Sequence, residues 1–171
     1  MKLGDGVEQA IHSMTMLASL SGDGVLSAAA LAEFHGVSPS YLLKHLQALS
    51  AAGLVTTVPG SKGGYRLARK ASAITLLDIV IAVEGPQPAF RCQEIRQRGP
   101  DPLPLRYFEK PCGIAAAMLA AERVYRAELR KTSIADLISD LQTTDDGGIA
   151  ARGCAFLELN EKAPPGVLYA G

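Results

Sequence analysis

The chain has 171 residues, of which 48% are apolar and 5% aromatic, and its 17 basic residues balance its 17 acidic ones. This balance excludes a protein that binds nucleic acid through its overall charge, and three cysteines in so long a chain exclude a secreted disulfide framework. The first residues lack the apolar run of a signal peptide, and no apolar stretch reaches the length of a membrane span. We therefore expect a soluble cytoplasmic protein that makes no contact with a membrane.

Apolar residues recur at helical spacing from about Gly4 to Ser19 and predict a first helix. Beside its apolar face runs a polar stripe, formed by Glu8, His12, Thr15 and Ser19. Glu8 and His12 are one helical turn apart, which places their side chains next to each other. Taken alone, such a pair is an ordinary surface contact.

Two further helices joined by a short turn predict a helix-turn-helix. The first follows a Ser27 cap and ends at Gly36, and the second, SPSYLLKHLQALSAAG, begins with Ser38 as the expected cap. Its inner face is apolar, whereas the residues on its outer face or flank are Ser40, Tyr41, Lys44, His45 and Gln47. An ordinary helical hairpin has the same pattern, so these helices alone leave DNA binding undecided.

The next stretch, LVTTVPGSKGGYRLAR, predicts a β-hairpin with a glycine-rich tip. A hairpin directly after a helix-turn-helix is a wing. Five of the six basic residues in positions 1–70 lie on the helix before this wing, on the wing or directly after it. Glycines let a backbone approach a phosphate, and the cations supply attraction. We therefore predict that double-stranded DNA is contacted by Ser38, Ser40, Tyr41, Lys44, Lys62, Gly63 and Arg66.

Later helices are marked by two capping boxes, Thr75-Leu-Leu-Asp78 and Ser133-Ile-Ala-Asp136. Between them an Ala-rich helix runs from Cys112 to about Lys131 with an apolar stripe that nothing later in the chain covers. A second copy of the chain is the simplest cover, so this helix predicts a homodimer. Residues 143–171 mix Gly, Pro and Asp with scattered apolar residues and predict a mobile tail.

A long loop rich in Pro and Arg, from Pro86 to Pro111, carries Cys92 and leads into Cys112. Cys112 stands at the start of a helix, where the helix dipole favours a thiolate. Judged from the residues alone, the two cysteines form a disulfide, bind a metal, or are two unrelated small core residues. Cys154 lies in the predicted tail and is expected to be an incidental free thiol.

The sequence resembles the winged-helix transcription regulators that include the iron–sulfur regulator IscR and the nitric-oxide sensor NsrR. The resemblance rests on MKLGDGVEQAIH, LAEFHGVSPSYLLKHLQALSAAGLVTTVPGSKGGYRLAR, ITLLDIVIAVEG and TSIADL. It implies a mainly α fold with a small β-wing, in which a winged helix-turn-helix is followed by a long dimerisation helix. The expected units are a DNA-binding domain at 1–85, a sensor loop with dimerisation helices at 86–142, and a flexible tail at 143–171.

The loop departs from the pattern of those regulators, which have three clustered cysteines. Cys92 fits the first, the next candidate positions hold Arg98 and Pro104, and the second cysteine comes only at Cys112. This spacing more closely resembles the RsrR-type redox-sensing branch, although that branch has a Trp where this chain has Gln9. That branch uses two loop cysteines together with a Glu and a His from the first helix of the partner subunit.

The resemblance therefore implies a [2Fe–2S] cluster held by Cys92 and Cys112, together with Glu8 and His12 of the partner subunit. The expected function is a DNA-binding regulator whose operator affinity responds to the redox state of that cluster. One alternative is a cluster-free regulator that senses oxidants through the two loop thiols, or a small effector. An enzyme with Cys112 as nucleophile and His12 as base is disfavoured, because no motif typical of catalysis accompanies them.

Overall fold

This computed structural model describes residues 3–163. They contain seven α-helices and one β-hairpin. This architecture confirms the predicted mainly α fold with a small β-wing. Within the described residues, no helix is long and apolar enough to cross a membrane. In chain order the elements are α1 (Asp5–Ala18), α2 (Ala28–His35), α3 (Pro39–Ala51), β1 (Val55–Val58), β2 (Gly64–Leu67), α4 (Leu76–Glu84), α5 (Gly113–Leu129), α6 (Ile134–Thr144) and α7 (Gly148–Asn160).

One hydrophobic core lies between α1, α2, α3, α4 and α6. The predicted apolar face of α1 is buried in it, as are all three leucines on the inner face of α3. Burial of this apolar area away from water is the main force that holds the helices together. The side chains at its centre with no exposed surface include Met14, Leu31, Leu42, Leu46, Leu49, Ile74, Ile79 and Ile134.

Helix ends follow the capping signals of the sequence, with one exception. The Ser27 hydroxyl accepts a hydrogen bond from the N–H of Ala30, and both predicted capping boxes are formed. Gly36 closes α2 in the left-handed conformation (φ 64°) that favours glycine. At the start of α3, however, the Ser38 hydroxyl lies 3.1 Å from the Ser40 hydroxyl and does not cap the backbone.

The loop between α4 and α5 contains two short 3₁₀ turns, Ile95–Gln97 and Leu105–Phe108. Its beginning is held on α5 by a buried carboxylate and its ion-pair partner. Glu122 accepts a hydrogen bond from the N–H of Ala89 (3.0 Å) and pairs with Arg126 (2.8 Å). The same arginine donates to two loop carbonyls, those of Pro86 (3.0 Å) and Gln87 (3.1 Å).

Helix α6 packs on α1 and on the start of α4, so it shares the core of the winged helix. Ile134 is fully buried, and its N–H donates to the carbonyl of Ile74 (2.9 Å). The sequence division had grouped this segment with the sensor loop, at 86–142. The difference arises because the capping box shows where α6 begins but not which helices it contacts.

Residues 143–163 contain a helix that packs on the core, whereas the sequence predicted a mobile tail. Helix α6 continues to Thr144, and α7 follows it with Leu157 buried in the core. The prediction was wrong here because α7 buries only a few apolar side chains, which give no clear helical period. The segment also has two aspartates and two glycines near its start, which are typical of loops. The remainder of the predicted tail, 164–171, lies outside the described residues.

Candidate nucleic-acid interface and sensor cysteines

Helix α3 presents a polar outer face beside its buried leucines. The side chains of four predicted DNA contacts lie together on this exposed surface: Ser38, Ser40, Tyr41 and Lys44. The Tyr41 ring packs edge-on against the ring of His45, with 4.6 Å between the centroids. The contact restricts Tyr41 at one edge while its hydroxyl end stays free to reach a ligand.

His45 connects α3 to the first turn of α1. A Cβ atom at Gly6 would lie 2.3 Å from the His45 ring, so the ring would have to shift if this residue had a side chain. Burial lowers the pKa of His45, and the nearby Glu84 carboxylate opposes that effect more weakly. Helix α3 is therefore packed directly against the N-terminal end of α1.

The wing has the predicted hairpin shape, with Val55 opposite Leu67 and Val58 opposite Gly64. The packing of the wing itself requires glycine at two of its positions. A Cβ at Gly63 would lie 2.0 Å from the carbonyl oxygen of Val58, and one at Gly64 would lie 2.4 Å from that of Leu26. The tight turn and the close approach of a neighbouring segment thus require glycine whether or not DNA is bound.

The cations of the wing differ in their partners. Lys62 is exposed at the tip, whereas Arg66 forms an ion pair with Asp23 at 2.5 Å. The sequence analysis missed this pairing, because Asp23 lies 43 positions earlier, in the turn between α1 and α2. Part of the positive charge predicted for the returning strand is therefore neutralised within the subunit.

The two loop cysteines are brought together at the start of α5. Cys112 is the N-cap residue of α5, and Cys92, twenty positions earlier, is close enough for its thiol to stabilise a Cys112 thiolate. The backbone N–H of Ala115, then that of Ile114, lower the pKa of Cys112, with smaller contributions from Arg96 and Cys92. Cys92 is exposed and Cys112 half-buried, so neither is a core residue.

Arg96 places a positive charge beside this cysteine pair. Its guanidinium forms an ion pair with Glu94 (2.5 Å) and stacks over the Phe108 ring (5.1 Å). Glu94 raises the pKa of Arg96 most, and the two cysteines act in the same direction. Because these contacts join both 3₁₀ turns of the loop, they position a cation where thiolates would form.

Glu8 and His12 lie exposed on the outer side of α1, as predicted. They line a cavity of about 280 Å³ together with Asp5, Gln9, His35 and Val37. The His12 ring lies 5.6 Å from the ring of His35 at the end of α2. The sequence did not predict this contact, because the two histidines belong to different helices.

The four predicted cluster ligands form two separate pairs within one subunit. In the part of the chain that the structure describes, no group of three or more His, Cys, Asp or Glu side chains is arranged to hold a metal ion. The cysteine pair and the Glu8–His12 pair therefore do not make one site inside the monomer. A shared site requires the second pair to come from another subunit.

A helix-turn-helix followed by a cationic wing defines a winged-helix DNA-binding protein. The family model named Rrf2, described as "Iron-dependent Transcriptional regulator", matches residues 3–140. The chain belongs to the Rrf2 family of transcriptional regulators. This finding confirms, at the level of the family, the resemblance to IscR- and NsrR-type regulators.

Curated relatives agree with this assignment. The HTH-type transcriptional regulator YffB of Lactococcus lactis is 32% identical over 144 residues, which cover 83% of this chain and 90% of the relative. Protein aau3 of Rhizobium meliloti is 37% identical over 125 residues, 73% of this chain and 77% of its own length. The HTH-type regulator YwgB of Bacillus subtilis is 41% identical, but the match spans only about half of each chain (50% and 54%). The relatives named for a function are regulators, in agreement with the prediction that the chain is not an enzyme.

Solved structures share the fold. IscR of T. potens aligns with a TM-score of 0.63 at 22% identity over 88% of this chain and 96% of its own, which is a likeness of fold alone. CymR of B. subtilis, described as the global cysteine regulator, has a TM-score of 0.59 at 28% identity over 85% of this chain and 99% of its own. The oxidized form of Staphylococcus aureus CymR has a TM-score of 0.58 at 26% identity over 80% and 95%.

Proposed function

We propose that this regulator binds its operator as a homodimer and that its affinity for DNA responds to the redox state of a [2Fe–2S] cluster. The ligands would be Cys92 and Cys112 of one subunit with Glu8 and His12 of the partner subunit. The observation that carries the proposal is the proximity of the two free cysteines at the N-terminus of α5, beside Arg96. The iron dependence in the description of the family supports it.

The donor set fits a cluster of this kind. Cysteine binds iron as the thiolate, and the helix N-terminus together with Arg96 favours that form at Cys112. Two thiolates leave the second iron without protein ligands, and the exposed Glu8 and His12 offer an oxygen and a nitrogen donor one helical turn apart. When bound, such a group supplies a one-electron redox change, at a potential that neutral histidine ligation raises.

Helix α1 offers a physical connection between this site and DNA. Its outer side carries Glu8 and His12, and its first turn packs through Gly6 against His45 of α3. A shift of α1 toward or away from the partner's cysteines would therefore displace the recognition helix. A bias of about 1–3 kcal/mol between two such arrangements is sufficient for regulation.

For the ligand set, we expect Cys92→Ala and His12→Ala to lose or alter the visible absorption of protein reconstituted anaerobically with iron and sulfide. Cys154→Ala is the matched control, since this exposed cysteine lies on α7 outside both ligand pairs. Its absorption should equal that of the unchanged protein. A wild-type spectrum and potential in His12→Ala would exclude the mixed-ligand site.

For DNA, α3 would read the major groove while the wing tip at 60–64 contacts the minor groove or the backbone. Lys62→Ala should weaken binding to all duplexes and lower the salt slope of log K by about 0.9. Ser40→Ala or Lys44→Ala should instead change the preference between duplexes, since side chains on this face reach base edges. Binding titrations at several salt concentrations distinguish the two effects, and an unchanged slope would remove Lys62 from the contact set.

A cluster-free thiol switch is the second candidate, because the same cysteine pairing supports it. Oxidation would join the two sulfurs and transfer two electrons and two protons to a peroxide, which is reduced to water. The solved oxidized form of the related S. aureus CymR favours this alternative. Mass spectrometry after peroxide treatment would then show a Cys92–Cys112 cross-link in a colourless protein.

A further inference from the structure

The segment after residue 140, which the family model does not match, packs beside the wing. In α7, Arg152 lies over the ring of Phe34 at the end of α2 (4.6 Å) and donates to its carbonyl (3.1 Å). The Phe156 ring packs on the same phenylalanine, with 4.9 Å between the centroids. Helix α7 is therefore anchored on the first helix of the helix-turn-helix.

After α7 the chain extends the sheet of the wing. Lys162 pairs with Val25 through two backbone hydrogen bonds of 3.0 Å, while the next residue, Leu26, pairs with Tyr65 of β2. The carboxylate of Glu161 accepts hydrogen bonds from the backbone N–H (2.9 Å) and the hydroxyl (2.6 Å) of Ser21. These four hydrogen bonds hold the backbone of Lys162 beside the wing.

The side chain of Lys162 reaches the tip of the wing. Its ammonium donates to the carbonyl oxygen of Ser61 at 3.3 Å, next to Lys62. Among the described residues, no carboxylate lies within ion-pair distance of Lys162, in contrast to Arg66 with its Asp23 partner. An ammonium has three N–H donors, so two remain for another acceptor.

We propose that Lys162 is a DNA-phosphate contact and that the C-terminal segment is part of the wing's DNA-binding surface. The inference rests on the proposed use of the wing tip for DNA. It assigns to Lys162 a sequence-independent role, because an ammonium on a flexible side chain binds phosphate as a point charge and does not read bases. With Lys62 and Lys162 the wing tip has two cations for DNA, although Arg66 is paired with Asp23.

The test uses the full chain and a fluorescent duplex of mixed sequence, titrated between about 50 and 200 mM salt. Loss of one phosphate contact in Lys162→Ala should lower the salt slope by about 0.9 and weaken binding about eightfold near 0.1 M salt. Lys162→Arg should keep both values. Lys131→Ala, which removes an exposed lysine at the far end of α5, controls for total charge and should leave the slope unchanged.

The outcomes separate this inference from the proposed function. A slope lowered by Lys62→Ala but unchanged by Lys162→Ala overturns the role of Lys162 and leaves the wing contact in place. Unchanged slopes in both variants overturn the role of Lys162 and the wing-tip contact with DNA as well. The exposed lysine makes a single side-chain hydrogen bond, so the variants should fold, and Lys162→Met, which keeps the alkyl chain, should behave like the alanine variant.

Discussion

The ring of His35 is half-buried between α1 and α7, where it faces His12 and the positively charged Arg152. Burial is the largest effect and lowers the pKa of His35. The charges of His12 and Arg152 lower the pKa further, and a smaller effect of the His12 backbone opposes them. Asp5 and Glu8 line the same cavity. The folded protein therefore favours the neutral imidazole, whereas the unfolded chain binds a proton at about pH 6.5.

This difference predicts the pH dependence of stability. Between the lowered folded pKa and about pH 6.5 the unfolded state binds more protons, so the free energy of unfolding falls as the pH is lowered through this window and levels off below it. Urea unfolding of His35→Gln should show a smaller decrease between about pH 7.5 and 5 than the unchanged protein. His45, whose pKa burial also lowers, contributes to the slope that remains. An equal decrease in both proteins would exclude His35 as a source.

At the scale of single elements, α7 shows how a few contacts order a segment of weak pattern. Leu157 is 7% exposed in the main core, whereas Leu159, two residues later on the same helix, is 86% exposed. Gly153 lies in the middle of the helix, and an added Cβ would meet nothing within 4 Å. The helix therefore combines one strong anchor with a glycine that lowers its own stability.

The different surroundings of these three residues predict how substitutions at each will change the stability of the protein. Leu157→Ala should lower the free energy of unfolding by about 2 kcal/mol or more through lost burial and a cavity. Gly153→Ala should raise it by about 0.5–1 kcal/mol, because alanine favours the helix and restricts the unfolded chain. Leu159→Ala is the matched control and should have little effect. Urea denaturation measures the free energy of unfolding of all three variants. If all three equal the unchanged protein, α7 does not contribute to stability and the predicted mobile tail is the better description.

At the scale of the whole molecule, α5 is the element that the subunit leaves uncovered. Only Ala115 and Glu122 of this helix are buried, on the side that packs toward α4 and the loop. Ile114 is 68% and Met118 46% exposed on the neighbouring apolar stripe. An exposed stripe on a helix of 17 residues favours the proposed homodimer, in which two such helices cover each other.

Met118→Asp should therefore dissociate the dimer, because a charge would be buried in the contact between the two helices. Operator binding should weaken as well, since two half-sites would no longer be engaged together. Ala127→Asp is the control: nine residues later, its exposed side chain points about 180° away around the helix. Sedimentation should show a monomer for the first variant and a dimer for the second, and a monomeric unchanged protein would contradict the proposal.

Much of the local structure was determined by the sequence itself. The capping boxes at Thr75 and Ser133, the αL glycine at Gly36 and the hairpin at 55–67 were all predicted, and the structure confirms them. Each depends on residues a few positions apart, whose backbone geometry and hydrogen bonding are nearly independent of the rest of the chain. The spacing of leucines in α3 likewise determined which face of the helix is buried and which is exposed.

Only the tertiary structure decided which distant residues meet. The pairing of Cys92 with Cys112, the neutralisation of Arg66 by Asp23 and the position of Lys162 beside Ser61 join parts of the chain that are 20, 43 and 101 positions apart. No local pattern encodes such contacts, because they follow from how the helices pack around the shared core. The same packing orders α7. Its few apolar side chains stabilise the helix only because the core offers a hydrophobic surface on which they are buried.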